Sequence, residues 1–158
     1  MQNPRSPTLT VTWGLVYLLL SAYPGADKID VVAHSMGVTL ARKAIKGGPV
    51  QDPETGQRHD LGPPLTGRVD AFVGIGGVWS VSRFLGELND SARFEGGRVY
   101  SIWSTSDQIV GYGGVVYGRY TSRIPGQDDE KVYHGYPYGH FCTRDLSAPV
   151  QLQMVRER

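Results

Sequence analysis

The chain has 158 residues, with 16 Lys and Arg against 15 Asp and Glu and a net charge of +1. That is one domain's worth of chain, long enough to bury a sizeable core, and the balanced charge excludes an electrostatic footprint for nucleic acid or an anionic membrane. A single cysteine, Cys142, excludes an internal disulfide framework and a multi-cysteine zinc site.

The first element is the apolar stretch Leu9–Tyr23. It is shorter than the roughly 20 residues of a transmembrane helix. Two readings compete. Arg5 ahead of an apolar core suits a signal peptide, but Ala22 has Leu20 at its −3 position, where a small residue belongs. Trp13, Val16, Tyr17 and Leu20 fall at i, i+3, i+4 and i+7, which favours a core helix ending near Ala22, ahead of Pro24.

Ile29–Ala33 is short, β-branched and almost continuously apolar, which predicts a strand buried on both faces of a parallel sheet. From Met36 to Lys46 the pattern becomes helical, with Arg42, Lys43 and Lys46 expected as one polar stripe, and Gly47-Gly48-Pro49 ends it. Ser35 therefore falls on a strand-to-helix turn, with Ala33 two before it and Gly37 two after. This is a nucleophile-elbow pattern with Ala in place of the first Gly. Small flanking residues let strand and helix approach, and the helix N-terminus aims N–H groups at a developing oxyanion, Met36 N–H first. The plain alternative is a serine that merely caps a helix.

Gly48–Gly67 reads as an exposed, Pro- and Gly-rich excursion. Arg68–Gly74 predicts a second strand, and the following Gly74-Ile75-Gly76-Gly77 a tight loop bordering a site, since it lacks the third spaced Gly of a dinucleotide fingerprint. Val81–Asn89 predicts a short helix capped by Ser80 or Ser82, Arg98–Ser104 a third strand, and Lys131–Tyr133 a short last one. The C-terminus predicts a helix with Ser147 as cap and Pro149 in its first turn. Alternating strands and helices give an α/β class with a mostly parallel sheet.

A serine nucleophile needs a histidine base, and the base needs a carboxylate to hold its tautomer. In elbow-type hydrolases these follow in the order Ser, acid, His. His34 adjoins the serine but is expected to point away along an extended strand, and His59 precedes any plausible acid. His140, in a loop after the last strand, is preferred to His134 at the strand's end. Among the acids, Asp107 directly follows the third strand, where α/β sites form. Asp70 lies within a strand, Asp90 follows a helix, and Asp128 and Asp129 read as solvated loop residues. A turn aspartate is the plain alternative for Asp107.

The segments IDVVAHSMGVTLARKAIKGG, VYSIWSTSDQIVGY, TSRIPGQDDEKVY and the closing GHF, in that order, resemble the class 2 lipase (esterase/lipase) family of α/β hydrolases. Extracellular polyhydroxyalkanoate depolymerases carry a similar elbow. The resemblance implies a secreted, cofactor-free carboxyl-ester hydrolase in which the nucleophile maps to Ser35, the acid to Asp107 and the base to His140. It also implies a lipid or small ester as substrate and interfacial contact with lipid.

Two departures qualify the expectation. Only 34 residues precede Ser35, whereas the family carries several strands and an oxyanion loop there, and the region around Val78-Trp79-Ser80 looks shortened. Residues 1–158 thus read as a single, partial α/β-hydrolase domain, its C-terminal portion, with an open sheet edge suited to self-association. The rival expectation is an incompetent fragment or lipid-binding remnant; a third keeps the triad but transfers acyl groups. Tyr112, Tyr117, Tyr120, Tyr136 and Tyr138 are candidates to line an acyl site or simply to pack on the sheet.

Overall fold

The computed structural model describes residues 27–51, 55–78, 83–90, 94–110, 115–116, 119–120 and 122–157, together with residues 19, 22 and 25. The β-branched run Ile29–His34 forms β1 and, after one turn residue, Met36–Lys46 forms α1. A short hairpin follows, β2 (Pro49–Gln51) against β3 (Arg58–Asp60). Then come β4 (Val69–Ile75), α2 (Arg83–Asn89) and β5 (Arg98–Ser104). A two-residue ribbon pairs β6 (Val115–Val116) with β7 (Arg119–Tyr120). The chain returns through β8 (Asp129–Tyr133) to α3 (His140–Leu146) and α4 (Ala148–Arg156).

Four strands form one sheet in the order β1-β4-β5-β8, every neighbour parallel. His34 lies opposite Ile75, Ile75 opposite Ile102, and Ser104 opposite Tyr133. The C-terminal ends of all four strands are therefore aligned, and the residues that follow them gather at one end of the sheet, where α/β folds build their sites.

Strand alternation sorts the core into two layers. Val31, Phe72 and Val99 face Val38, Ala41 and Ile45 of α1 and Leu85 and Leu88 of α2. Ala71, Val73, Tyr100 and Ile102 face the other way, against Met154 of α4. Phe72, Ile45 and Ile102 are wholly buried, each contributing about 1.5–3 kcal/mol by leaving water.

Several expectations need correction. The first strand is not buried on both faces: Val32 is 46% exposed. α4 packs on β4, one strand over, and among the described residues β1 pairs with β4 alone. Arg42 and Lys43 are not a solvated stripe but buried. Arg42 forms an ion pair with Glu95 at 2.7 Å, and Lys43 Nζ donates to the carbonyls of Gly47 and Pro49. The Gly48–Gly67 excursion contains the β2–β3 hairpin. Asp128 is not simply solvated, since its carboxylate accepts the Val99 N–H at 2.8 Å. Ser147 is the N-cap residue of α4, as expected, but it also ends a preceding helix, α3, and makes no side-chain capping bond. The helix expected over Trp13–Ala22 lies outside the described residues except for Leu19 and Ala22, which are helical; Ser80 and Ser82 lie outside them altogether. No helix among the described residues is long and apolar enough to cross a membrane.

Candidate active site

Ser35 joins β1 to α1 with φ 55° and ψ −129°, the one non-glycine residue of positive φ among those described. Such a conformation costs about 1–3 kcal/mol and persists only when its surroundings hold it. Two backbone bonds do so here: Ser35 N–H donates to the Ile75 carbonyl at 2.9 Å, and Val38 N–H to the Ser35 carbonyl at 3.1 Å. Met36 opens α1, and the first N–H groups of a helix have no partner within it. The crowding expected at Gly37 is not found: a β-carbon there would meet nothing within 4 Å.

Asp107 sits in the turn after β5, with its side chain 4% exposed. Its two oxygens are divided between tasks. Oδ1 accepts the N–H groups of Ile109 and Val110, both at 2.9 Å, which ties the carboxylate to its own turn. Oδ2 lies 2.7 Å from His140 Nδ1. The turn reading and the partner reading of this aspartate are both realised, by different atoms.

His140 is not in a loop, as expected, but is the first residue of α3, with its side chain 2% exposed. Its Nε2 lies 2.9 Å from Ser35 Oγ. With Nδ1–H donated to the carboxylate, Nε2 is left as the acceptor for the serine hydroxyl. Ser35, His140 and Asp107 are thus brought into one hydrogen-bonded line from residues 35, 107 and 140 of the chain.

Of three further neighbours, two, His34 and Gln108, were missed by sequence reasoning. His34 does not point away: its Nε2 is 3.1 Å from the His140 carbonyl oxygen, and the two rings lie 4.6 Å apart. Burial lowers the His34 pKa; the bond to the His140 carbonyl opposes that shift, and the charges of His140 and Arg144 reinforce it. Gln108 Oε1 accepts the His140 N–H at 3.2 Å. Gly76, at φ 52°, leaves space for the pair: a β-carbon there would lie 3.2 Å from Asp107 Oδ2 and 3.4 Å from His140 Nδ1. Gly76 lies in the glycine-rich turn after β4 that the sequence predicts as the border of a site. For His34 and Gln108 the only signal was adjacency to Ser35 and Asp107.

The remaining candidates lie elsewhere. His134 contacts Thr105 Oγ1 at 3.2 Å and is exposed, and His59 is exposed on β3. Asp70 pairs with Arg98 at 2.9 Å. Tyr138 stacks on Tyr133 with ring centroids 4.2 Å apart, and Tyr136 projects into solvent. Tyr112 and Tyr117 lie outside the described residues, and of Tyr120 only its place in β7 is described. Met36, Ile109 and Phe141 are large apolar side chains that stand exposed, close in sequence to Ser35, Asp107 and His140 respectively.

A family profile described as Lipase (class 2) matches residues 15–80 and 76–153. Among solved structures, the chain is similar to the crystal structure of Zea mays acyl-protein thioesterase 2. The TM-score is 0.56 at 17% sequence identity, over 98% of this chain and 68% of that one. Identity that low speaks to the fold alone. No curated protein sequence matches the chain.

Proposed function

The chain belongs to the class 2 lipase family, ester hydrolases on the α/β-hydrolase fold, and from that premise we propose that it hydrolyses lipid-like carboxyl esters with Ser35 as nucleophile, His140 as general base and Asp107 as its orienting acid. The observation that carries the reading is the continuous line from Ser35 Oγ through His140 to Asp107, with spacings of 2.9 and 2.7 Å.

The chemistry follows from that line. His140 Nε2 takes the Ser35 hydroxyl proton as Oγ attacks the ester carbonyl carbon. The carbonyl oxygen becomes an oxyanion facing the start of α1, where the Met36 N–H and the positive end of the helix dipole stabilise it. Asp107 stabilises the imidazolium that forms without taking its proton. Nε2–H then protonates the departing alkoxide, so the alcohol leaves and an acyl-serine remains. Water repeats the sequence: His140 removes its proton, hydroxide adds to the acyl carbon, and Ser35 Oγ departs with the proton returned. Exposed Met36, Ile109 and Phe141 support an apolar rather than a charged acyl group.

A fluorophosphonate probe tests the assignment. Ser35 is expected to be the one serine labelled, and Ser35→Ala to abolish both labelling and ester turnover. Labelling that survives the substitution overturns the reading.

A further inference from the structure

A general base works only if its ring is held within a few tenths of an ångström of the nucleophile. His140 is badly placed for that on local grounds. It is the first residue of a seven-residue helix, and helix ends fray. Its N–H is among the donors that a helix leaves without an internal acceptor.

Two side chains from other elements compensate. Gln108 Oε1 accepts the His140 N–H at 3.2 Å, and His34 Nε2 lies 3.1 Å from the His140 carbonyl oxygen. His34 immediately precedes Ser35, and Gln108 immediately follows Asp107. The peptide of the base is therefore tied at one end to the neighbour of the nucleophile and at the other to the neighbour of the acid. The His34 ring also lies 4.6 Å from the His140 ring and 6.1 Å from that of Phe141, so it limits tilt of the imidazole as well as its translation.

We propose that His34 and Gln108 are positioning residues that clamp the His140 peptide from both sides and so hold its imidazole between Ser35 and Asp107. The proposal rests on the functional reading above and extends it to two residues that touch no reacting atom. The carbonyl of His140 can only accept, so His34 Nε2 carries the proton in this contact. Loss of a hydrogen bond of this kind amounts to about a threefold to tenfold change.

The test compares His34→Phe, which keeps a ring without a donor, with His34→Gln, which keeps a donor near the Nε2 position, and with Gln108→Met, which removes the acceptor. With a soluble ester, His34→Phe and Gln108→Met are expected to lower kcat by about threefold to tenfold each, with KM unchanged. His34→Gln is expected to recover most of the loss. A role confined to fold stability would lower Tm without this kcat-only pattern or the rescue. Wild-type turnover together with an unchanged kcat in His34→Phe and Gln108→Met overturns the clamp and leaves the functional reading standing. A wild-type chain that neither turns over esters nor takes up a fluorophosphonate overturns the functional reading instead. The clamp is then decided by proton NMR of the His140 Nδ1–H, assigned by its loss in Asp107→Asn. That resonance is expected to broaden in His34→Phe and sharpen again in His34→Gln; a resonance unaltered in both His34→Phe and Gln108→Met overturns the clamp.

Discussion

Gly76 and His140 are in near contact: a β-carbon on Gly76 would lie 3.4 Å from His140 Nδ1, beside the Asp107 oxygen it faces. Gly76 also has φ 52°, a conformation that strains any L-residue. Gly76→Ala is therefore expected to cost about 1–2 kcal/mol of stability and to lower kcat, because the added methyl pushes at the Nδ1–Oδ2 contact. Gly37→Ala serves as the control for stability, since its β-carbon meets nothing within 4 Å. Denaturant unfolding and ester kinetics on both variants check the contrast.

His140→Ala and Asp107→Asn should each reduce ester turnover by on the order of 10³–10⁴-fold, the first by removing the base and the second by releasing its tautomer. His134→Ala should leave turnover nearly unaltered, since that ring contacts Thr105 and stands in solvent. Steady-state kinetics with one soluble ester decide the ranking; a larger loss in His134→Ala than in His140→Ala would reverse the assignment of the base.

Arg42 and Glu95 form an ion pair with both side chains 1% exposed. Arg42 also reaches Asn89 Oδ1 at 3.0 Å and lies over the Phe94 ring. Because α1 begins at the Ser35 turn, this pair anchors the helix behind the candidate nucleophile. Glu95→Ala takes the Glu95 carboxylate away from a buried guanidinium and is expected to cost about 3–5 kcal/mol. Replacing both partners, as Arg42→Met with Glu95→Leu, is expected to cost markedly less, because no charge is then left buried. Urea unfolding of the single and double variants measures the difference.

The lowered His34 pKa has a consequence for acid stability. Below the ordinary histidine value of 6.5, the unfolded chain binds a proton that the folded chain resists, because burial disfavours the charged ring. In that window stability rises with pH, and acidification through and below 6.5 weakens the fold. Thermal melts of the wild type and His34→Gln from about pH 7.5 to about pH 5 isolate this group. The wild type should lose more Tm on acidification than the variant, and parallel curves would refute the assignment.

Strand-helix alternation, the turn at Ser35 and the placement of Asp107 behind a strand are legible along the chain because each rests on a local signal: β-branched runs, helical periodicity, glycine and proline punctuation. Arg98–Ser104 and Met36–Lys46 have the bounds that those signals imply. Local signals fail where a side chain's surroundings come from far away. Arg42 reads as a surface charge because its partner Glu95 is 53 residues distant. Val32 reads as buried because a run of apolar residues does not reveal which strand α4 covers. His34 reads as turned away because strand alternation was extended one residue too far. The positive φ of Ser35 ends the extended backbone there, and α3 brings the His140 carbonyl to the ring from residue 140. The types of residue and their order along the chain are thus matters of local chemistry. The contacts that grip His140 arise only when parallel strands bring their C-terminal ends to one side of the sheet, because that alignment makes neighbours of residues about a hundred positions apart, and those that bury Arg42 arise only when α1 packs against the segment that leads into β5.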